Sequence, residues 1–213
     1  MKPAGMRLTL DRPVYRVNRM STQPLATRER LINAMITTLQ HRGLHGAGLS
    51  EILATAKAPK GVMYHHFPGG KDQLAVAAIE ATFSFLVHKL DTYMEREADV
   101  VAALQAWILR ALRGLDDSEF ELGCPLAAVA LESTADDVEI RSALKTGFAA
   151  LRERMADALV QAGHERHRAQ SIAALILAAY EGGLLQARVA GDTAPMVQTM
   201  DALMPMLKVE KRT

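Results

Sequence analysis

Several shortages in the sequence remove whole classes of protein. The 213 residues hold one cysteine, Cys124, so neither an internal disulfide nor a cysteine-built metal cluster is available. Aromatic residues make up only 5% and β-branched runs are scarce, while Ala, Leu and Met are frequent, which argues for an all-α fold. The longest continuous apolar run, Ile172–Tyr180, is far short of the ~20 residues that cross a bilayer. The amino terminus lacks the unbroken apolar segment of an export signal. A soluble, cytoplasmic chain with no membrane partner is expected, and with 49% hydrophobic residues it has ample material for a core.

The marks of catalysis are missing as well. There is no glycine-rich phosphate loop after a strand and no nucleophile elbow. His164-Glu165-Arg166-His167 superficially resembles a metal motif. Helical zinc sites need histidines four apart, whereas these are three apart beside Gly163 in a predicted loop. No enzyme activity, catalytic residue, metal or cofactor is expected. Cys124 could react with oxidants, but there is no second cysteine to resolve the product.

What is present begins with charge. The net charge of +1 conceals an asymmetry: residues 1–73 hold eleven Lys and Arg against four Asp and Glu, and residues 74–213 hold fourteen against twenty. A small basic end joined to a larger acidic part fits an amino-terminal nucleic-acid contact and a second function elsewhere, although an uneven solvated surface would give the same count. Residues 1–24 contain three prolines and no sustained periodicity, as in a flexible basic arm. Met20 offers an alternative start, which would leave residues 1–19 outside the native protein.

Helical periodicity begins near Pro24 and continues to Arg42, with Leu31, Met35 and Leu39 on one stripe, and Gly43 ends it. Leu49, Ile52, Leu53 and Ala56 mark a short second helix. A third begins at Pro59, whose missing N–H suits a first turn, and Pro68-Gly69-Gly70 stops it within about two turns. So short a helix presents side chains rather than building a core. Further helices are expected over about 72–97, 99–115 with Asp99 as cap, 125–132, 136–162, 166–190 and 192–207, giving nine in all and no strand. The first three, with their tight turn, make a helix-turn-helix. The predicted division is a basic arm (1–24), a DNA-binding domain (25–72) and a larger helical domain (73–213).

The spacing Ile52, Ala56, Ala58, Gly61, Tyr64, His66, Phe67, Lys71, Leu74 resembles the DNA-binding domain of the TetR family of transcriptional regulators. Together with Gly123-Cys124-Pro125-Leu126-Ala127-Ala128-Val129-Ala130-Leu131-Glu132, it is most similar to the LmrA/YxaF-like branch. The resemblance implies a nine-helix repressor whose partners are an operator in double-stranded DNA, a second copy of the chain, and an apolar or aromatic small-molecule effector. Two departures bear on the angle between the second and third helices. Gly46-Ala47-Gly48 stands where a Ser or Thr cap is usual, leaving Ser50 as a substitute, and Lys57 occupies the turn position usually held by Gly.

Lys60, Val62, Tyr64 and His65 lie in the exposed turns that would meet base edges and phosphates. Gly61, lacking a side chain, allows close approach to a phosphate backbone or to a neighbouring helix. Lys71 with the first N–H groups of the fourth helix would clamp a phosphate. Arg28, Ser50 and Pro59 complete the candidate DNA contacts, while Phe67 reads as a core anchor and His66 as structural.

The resemblance also implies an effector cavity within the larger domain. Phe85, Tyr93, Trp107, Phe148 and Tyr180 are candidates to line it, with Arg110 as polar anchor, and ordinary core packing is the alternative for each. Met196, Val197, Met200, Leu203, Met204 and Leu207 give the last helix an apolar face, and the helix before it carries Ile172, Leu175, Ile176, Ala179 and Gly182-Gly183. By the resemblance these two helices pair with their copies across a dimer interface. The alternative is burial within one chain.

Overall fold

The computed structural model describes residues 25–208, so the arm expected at residues 1–24 lies outside the described residues. Among those residues the chain forms nine α-helices, a closing 3-10 turn and no strand. They are α1 (Thr27–Arg42), α2 (Leu49–Ala56), α3 (Lys60–His66), α4 (Gly70–Arg96), α5 (Val100–Asp116), α6 (Pro125–Glu132), α7 (Val138–Gln161), α8 (Arg166–Ala190) and α9 (Ala194–Leu203), with the turn at Met204–Leu207.

Local chemistry accounts for most boundaries. Gly43 ends α1 at φ 67°, a left-handed conformation that glycine adopts without strain. Asp99 starts α5 by accepting the Ala102 N–H at 2.9 Å. Glu165 starts α8 by accepting the N–H groups of His167 and Arg168, each at 3.0 Å. His164 instead meets the Leu207 carbonyl through Nε2 at 2.9 Å, so the motif-like histidine holds the 3-10 turn beside the start of α8. The expected ninth helix is shorter because Pro205 has no N–H to continue it, and the chain tightens into the 3-10 turn.

The small amino-terminal unit packs Leu31, Met35 and Leu39 of α1 against Ile52 and Ala56 of α2 and Met63 of α3. Helix α4 then runs from this unit into the remainder, packing on α1, α5 and α7. Helix α7 packs on α8, and α8 on α9. Two glycines permit close crossings. A Cβ on Gly147 of α7 would lie 2.0 Å from the Phe83 ring of α4, and one on Gly183 of α8 would lie 2.5 Å from the Met196 sulfur of α9.

Candidate nucleic-acid interface

Helix α3 is anchored from below and open above. Met63 and Phe67 are fully buried beneath it, burial worth about 2 kcal/mol each. Lys60, Gly61, Tyr64 and His65 face outward, with Tyr64 43% exposed and Val62 half-buried. Pro59 precedes the first helical residue instead of occupying the first turn, and its carbonyl accepts the N–H groups of Val62 and Met63. A Cβ on Gly61 would meet nothing within 4 Å. Of the two reasons for glycine there, close approach to a neighbouring helix is therefore removed and approach to something outside the chain is left. Lys60 Nζ lies 6.0 Å from the Tyr64 ring centroid, one turn on. Tyr64 in turn leans toward Gly70, where a Cβ would sit 3.6 Å from Cε1.

The frame holding α3 at its angle is now visible. Lys57 adopts the left-handed conformation at φ 50°, ψ 47°. Its N–H reaches the Ala54 carbonyl and the Ala58 N–H reaches Leu53, each at 3.1 Å, a Schellman-type close made without glycine. Helix α2 starts at Gly48 with no side-chain cap, and Ser50 is exposed within its first turn. Arg30, which sequence reasoning passed over, is the clamp. Its Nε donates to the Ala56 carbonyl at 3.0 Å, Nη1 to Leu25 at 3.0 Å and Nη2 to Thr27 Oγ1 at 3.1 Å. Arg28 is exposed beside α3, with Cζ 5.3 Å from the Phe67 centroid.

Lys71 is placed differently from the free clamp expected of it. It sits inside the first turn of α4, half-buried, and Nζ donates to the Leu44 carbonyl at 2.7 Å. From the other side, Glu132 at the end of α6 accepts the His45 N–H at 2.8 Å, and its carbonyl meets His45 Nε2 at 3.2 Å. The connection between α1 and α2 is thus gripped by α4 and by α6.

Four of the six aromatic and cationic candidates come together. Phe85, Trp107, Arg110 and Tyr180 line one small cleft with Lys89 and Leu86, and Trp107 donates Nε1–H to the Leu86 carbonyl at 3.1 Å. Phe148 lies apart, edge-on to Phe83 at 5.0 Å, and Tyr93 packs on the core without lining the cleft. Cys124 is buried with Sγ 3.3 Å from Glu181 Oε1. Burial and the neighbouring carboxylate push the thiol well above its usual range, which leaves little of the nucleophilic thiolate.

The dimer candidates divide. Met196, Met200 and Leu203 are buried against α8 in the same chain, Met196 at 1% exposure, and Ile172 and Gly183 are buried with them. These five are corrected to core residues, because a side chain already covered has no surface to offer a partner. Ala179 and Met204 are half-buried. Leu175, the remaining candidate, lies on an outward stripe of α8 with Ala178, Gly182, Leu185 and Val189, the last 82% exposed, and Val197 of α9 is exposed as well.

Comparison with known proteins gives two family matches. Residues 31–78 match "Bacterial regulatory proteins, tetR family", and residues 100–202 match "Transcriptional regulator LmrA/YxaF-like, C-terminal domain". The HTH-type transcriptional regulator LmrA of Bacillus subtilis is 28% identical over 182 residues, covering 85% of this chain and 97% of the relative. An HTH-type transcriptional regulator of Mycobacterium tuberculosis is 31% identical over 174 residues, covering 79% and 88%. In architecture, a TetR transcriptional regulator from Legionella pneumophila superposes with a TM-score of 0.78 at 22% identity, covering 88% of this chain and all of that one.

Proposed function

Because the chain belongs to the TetR family of bacterial transcriptional regulators, in its LmrA/YxaF-like branch, we propose that it is a ligand-responsive repressor acting as a homodimer on a palindromic operator in the cytoplasm. The observation that supports this most is α3 itself: a two-turn helix fixed by Met63 and Phe67, with Lys60, Gly61, Tyr64 and His65 turned outward. Such a helix fits a major groove, where Lys60 and His65 would meet phosphates or base edges and Tyr64 would lie along the backbone. Residues 25–72 serve as the reading unit and residues 73–213 as the sensing and pairing unit. Two copies would place their α3 helices about 34 Å apart, one DNA turn.

Pairing uses the exposed stripe Leu175, Leu185 and Val189 of α8 with Val197 of α9, an apolar face that water would otherwise cover. The effector enters the cleft lined by Phe85, Trp107 and Tyr180. Displacing α4 there would move Lys71 and, through Leu44, the connection between α1 and α2. The two reading heads would then leave register.

Selection of duplexes from a random pool by the intact chain tests the reading. Inverted half-sites separated by one helical turn are expected, with affinity falling steeply as salt rises. Recovery of no sequence preference would remove the operator reading. Sedimentation equilibrium of Leu185→Glu and Val189→Glu tests the pairing: both variants should shift toward monomer, and unchanged dimers would place the interface elsewhere.

A further inference from the structure

The unit at residues 25–72 carries six Lys and Arg, and three of them are spent within the chain. Arg30 donates to Ala56, Leu25 and Thr27, Arg42 pairs with Glu51 at 3.2 Å, and Lys71 donates to the Leu44 carbonyl. The other three, Arg28, Lys57 and Lys60, are exposed. Arg28 stands over the Phe67 ring beneath α3, and Lys60 over the Tyr64 ring on it. Lys57 closes α2 in the turn that leads to α3, and its amine meets no acceptor or carboxylate among the described residues.

Two features set Lys57 apart from an ordinary surface lysine. It holds φ 50°, ψ 47°, a left-handed conformation that glycine would hold without strain, so a side chain is kept where it lowers stability. Burial fixes which way the turn faces: Ala58 is buried, while Lys57 before it and Pro59 and Lys60 after it are exposed. The lysine is therefore carried on the solvent side of the turn, next to the residue that opens the outward face of α3. A compact ammonium on a flexible stem suits a phosphate, which positions a protein on DNA without specifying sequence.

We propose that Lys57 contacts a backbone phosphate beside the groove entered by α3, in addition to the contacts of α3 itself. The proposal rests on the DNA-reading role of α3 given above.

Lys57→Asn removes the charge with a residue type that tolerates the left-handed conformation. Lys57→Gly removes the side chain altogether, and Lys57→Arg keeps the charge. Each is titrated by fluorescence anisotropy against the duplex selected by the unaltered chain and against one of unrelated sequence, from about 0.1 to 0.4 M salt. One phosphate contact fewer should make the fall of log affinity with log salt shallower by about 0.9, a loss of about eightfold at about 0.1 M. Lys57→Asn and Lys57→Gly should show this on both duplexes, because a phosphate contact is indifferent to sequence, and Lys57→Arg should keep the slope of the unaltered chain. An unchanged slope in Lys57→Asn would overturn the proposal. That includes affinity falling equally at every salt concentration, the mark of a changed angle between α2 and α3. Lys60→Ala in the same titrations separates the two readings. If it weakens binding while Lys57→Asn does not, the Lys57 contact is removed and α3 still reads DNA; if neither weakens it, both readings fall.

Discussion

Glu132 ties the end of α6 to the connection between α1 and α2, and replacing it with alanine probes that contact directly. Its carboxylate accepts the His45 N–H at 2.8 Å. It also fills the space over Gly43, where a Cβ would lie 1.7 Å from Oε1. A hydrogen bond to an ionised acceptor is worth about 1.5–3 kcal/mol when shielded, and the exposed setting of this one reduces it to about 1 kcal/mol. Glu132→Ala should therefore lower the melting temperature by about 2–4 °C, as expected for a chain of this size. If the same contact fixes the orientation of α2 and α3, operator affinity should fall about fivefold. Gly43→Ala adds backbone strain of about 1–2 kcal/mol at φ 67° and displaces the same carboxylate. The two substitutions must then be coupled: Gly43→Ala should cost about 1 kcal/mol less in the Glu132→Ala background, since the clash is gone. Denaturation of the four proteins in the cycle measures this, and additivity within about 0.3 kcal/mol would refute the contact.

Three further outcomes follow from named contacts. Lys57→Gly relieves the left-handed strain at φ 50° and should raise stability by about 1 kcal/mol in chemical denaturation. Gly147→Ala drives a methyl into the Phe83 ring, 2.0 Å from the new Cβ, and should destabilise by about 1–3 kcal/mol, read as a lower melting temperature. Burial raises the Glu181 carboxyl from 4.5 to about 7. The folded state holds that proton more tightly, so its stabilisation is complete below pH 4.5 and is lost as pH rises through about 7. Melting temperature should fall across that window, and Glu181→Gln should flatten the profile.

Legibility in the sequence followed the range of the forces involved. Helix α8 and the start of α5 were readable because periodicity and caps are local, and Lys57 stood out only through the family pattern, in which Gly is usual at that turn position. The grip of Lys71 on Leu44 was not readable. It spans 27 residues, and a lysine after a glycine turn gives no sign of whether its amine points outward or back. Arg30 was missed for the same reason: its main acceptor, the Ala56 carbonyl, lies on another helix. The apolar face of α9 correctly signalled the need for cover but not its source, and α8 of the same chain supplies it. Phe85, Trp107, Arg110 and Tyr180 were selected by type, and only packing could show that they meet while Phe148 and Tyr93 go elsewhere.

Whether the outward face of α3 reads DNA is decided by how its variants bind an operator. Fluorescence anisotropy compares binding of the unaltered chain, Lys60→Ala and Tyr64→Ala to a labelled duplex selected by the unaltered chain, with melting followed in parallel. Both residues are exposed, so melting should stay within about 2 °C. Each substitution should weaken binding by about tenfold, the range of a lost groove or phosphate contact. Undiminished affinity in both folded variants would contradict the account and place the DNA-reading surface somewhere other than α3.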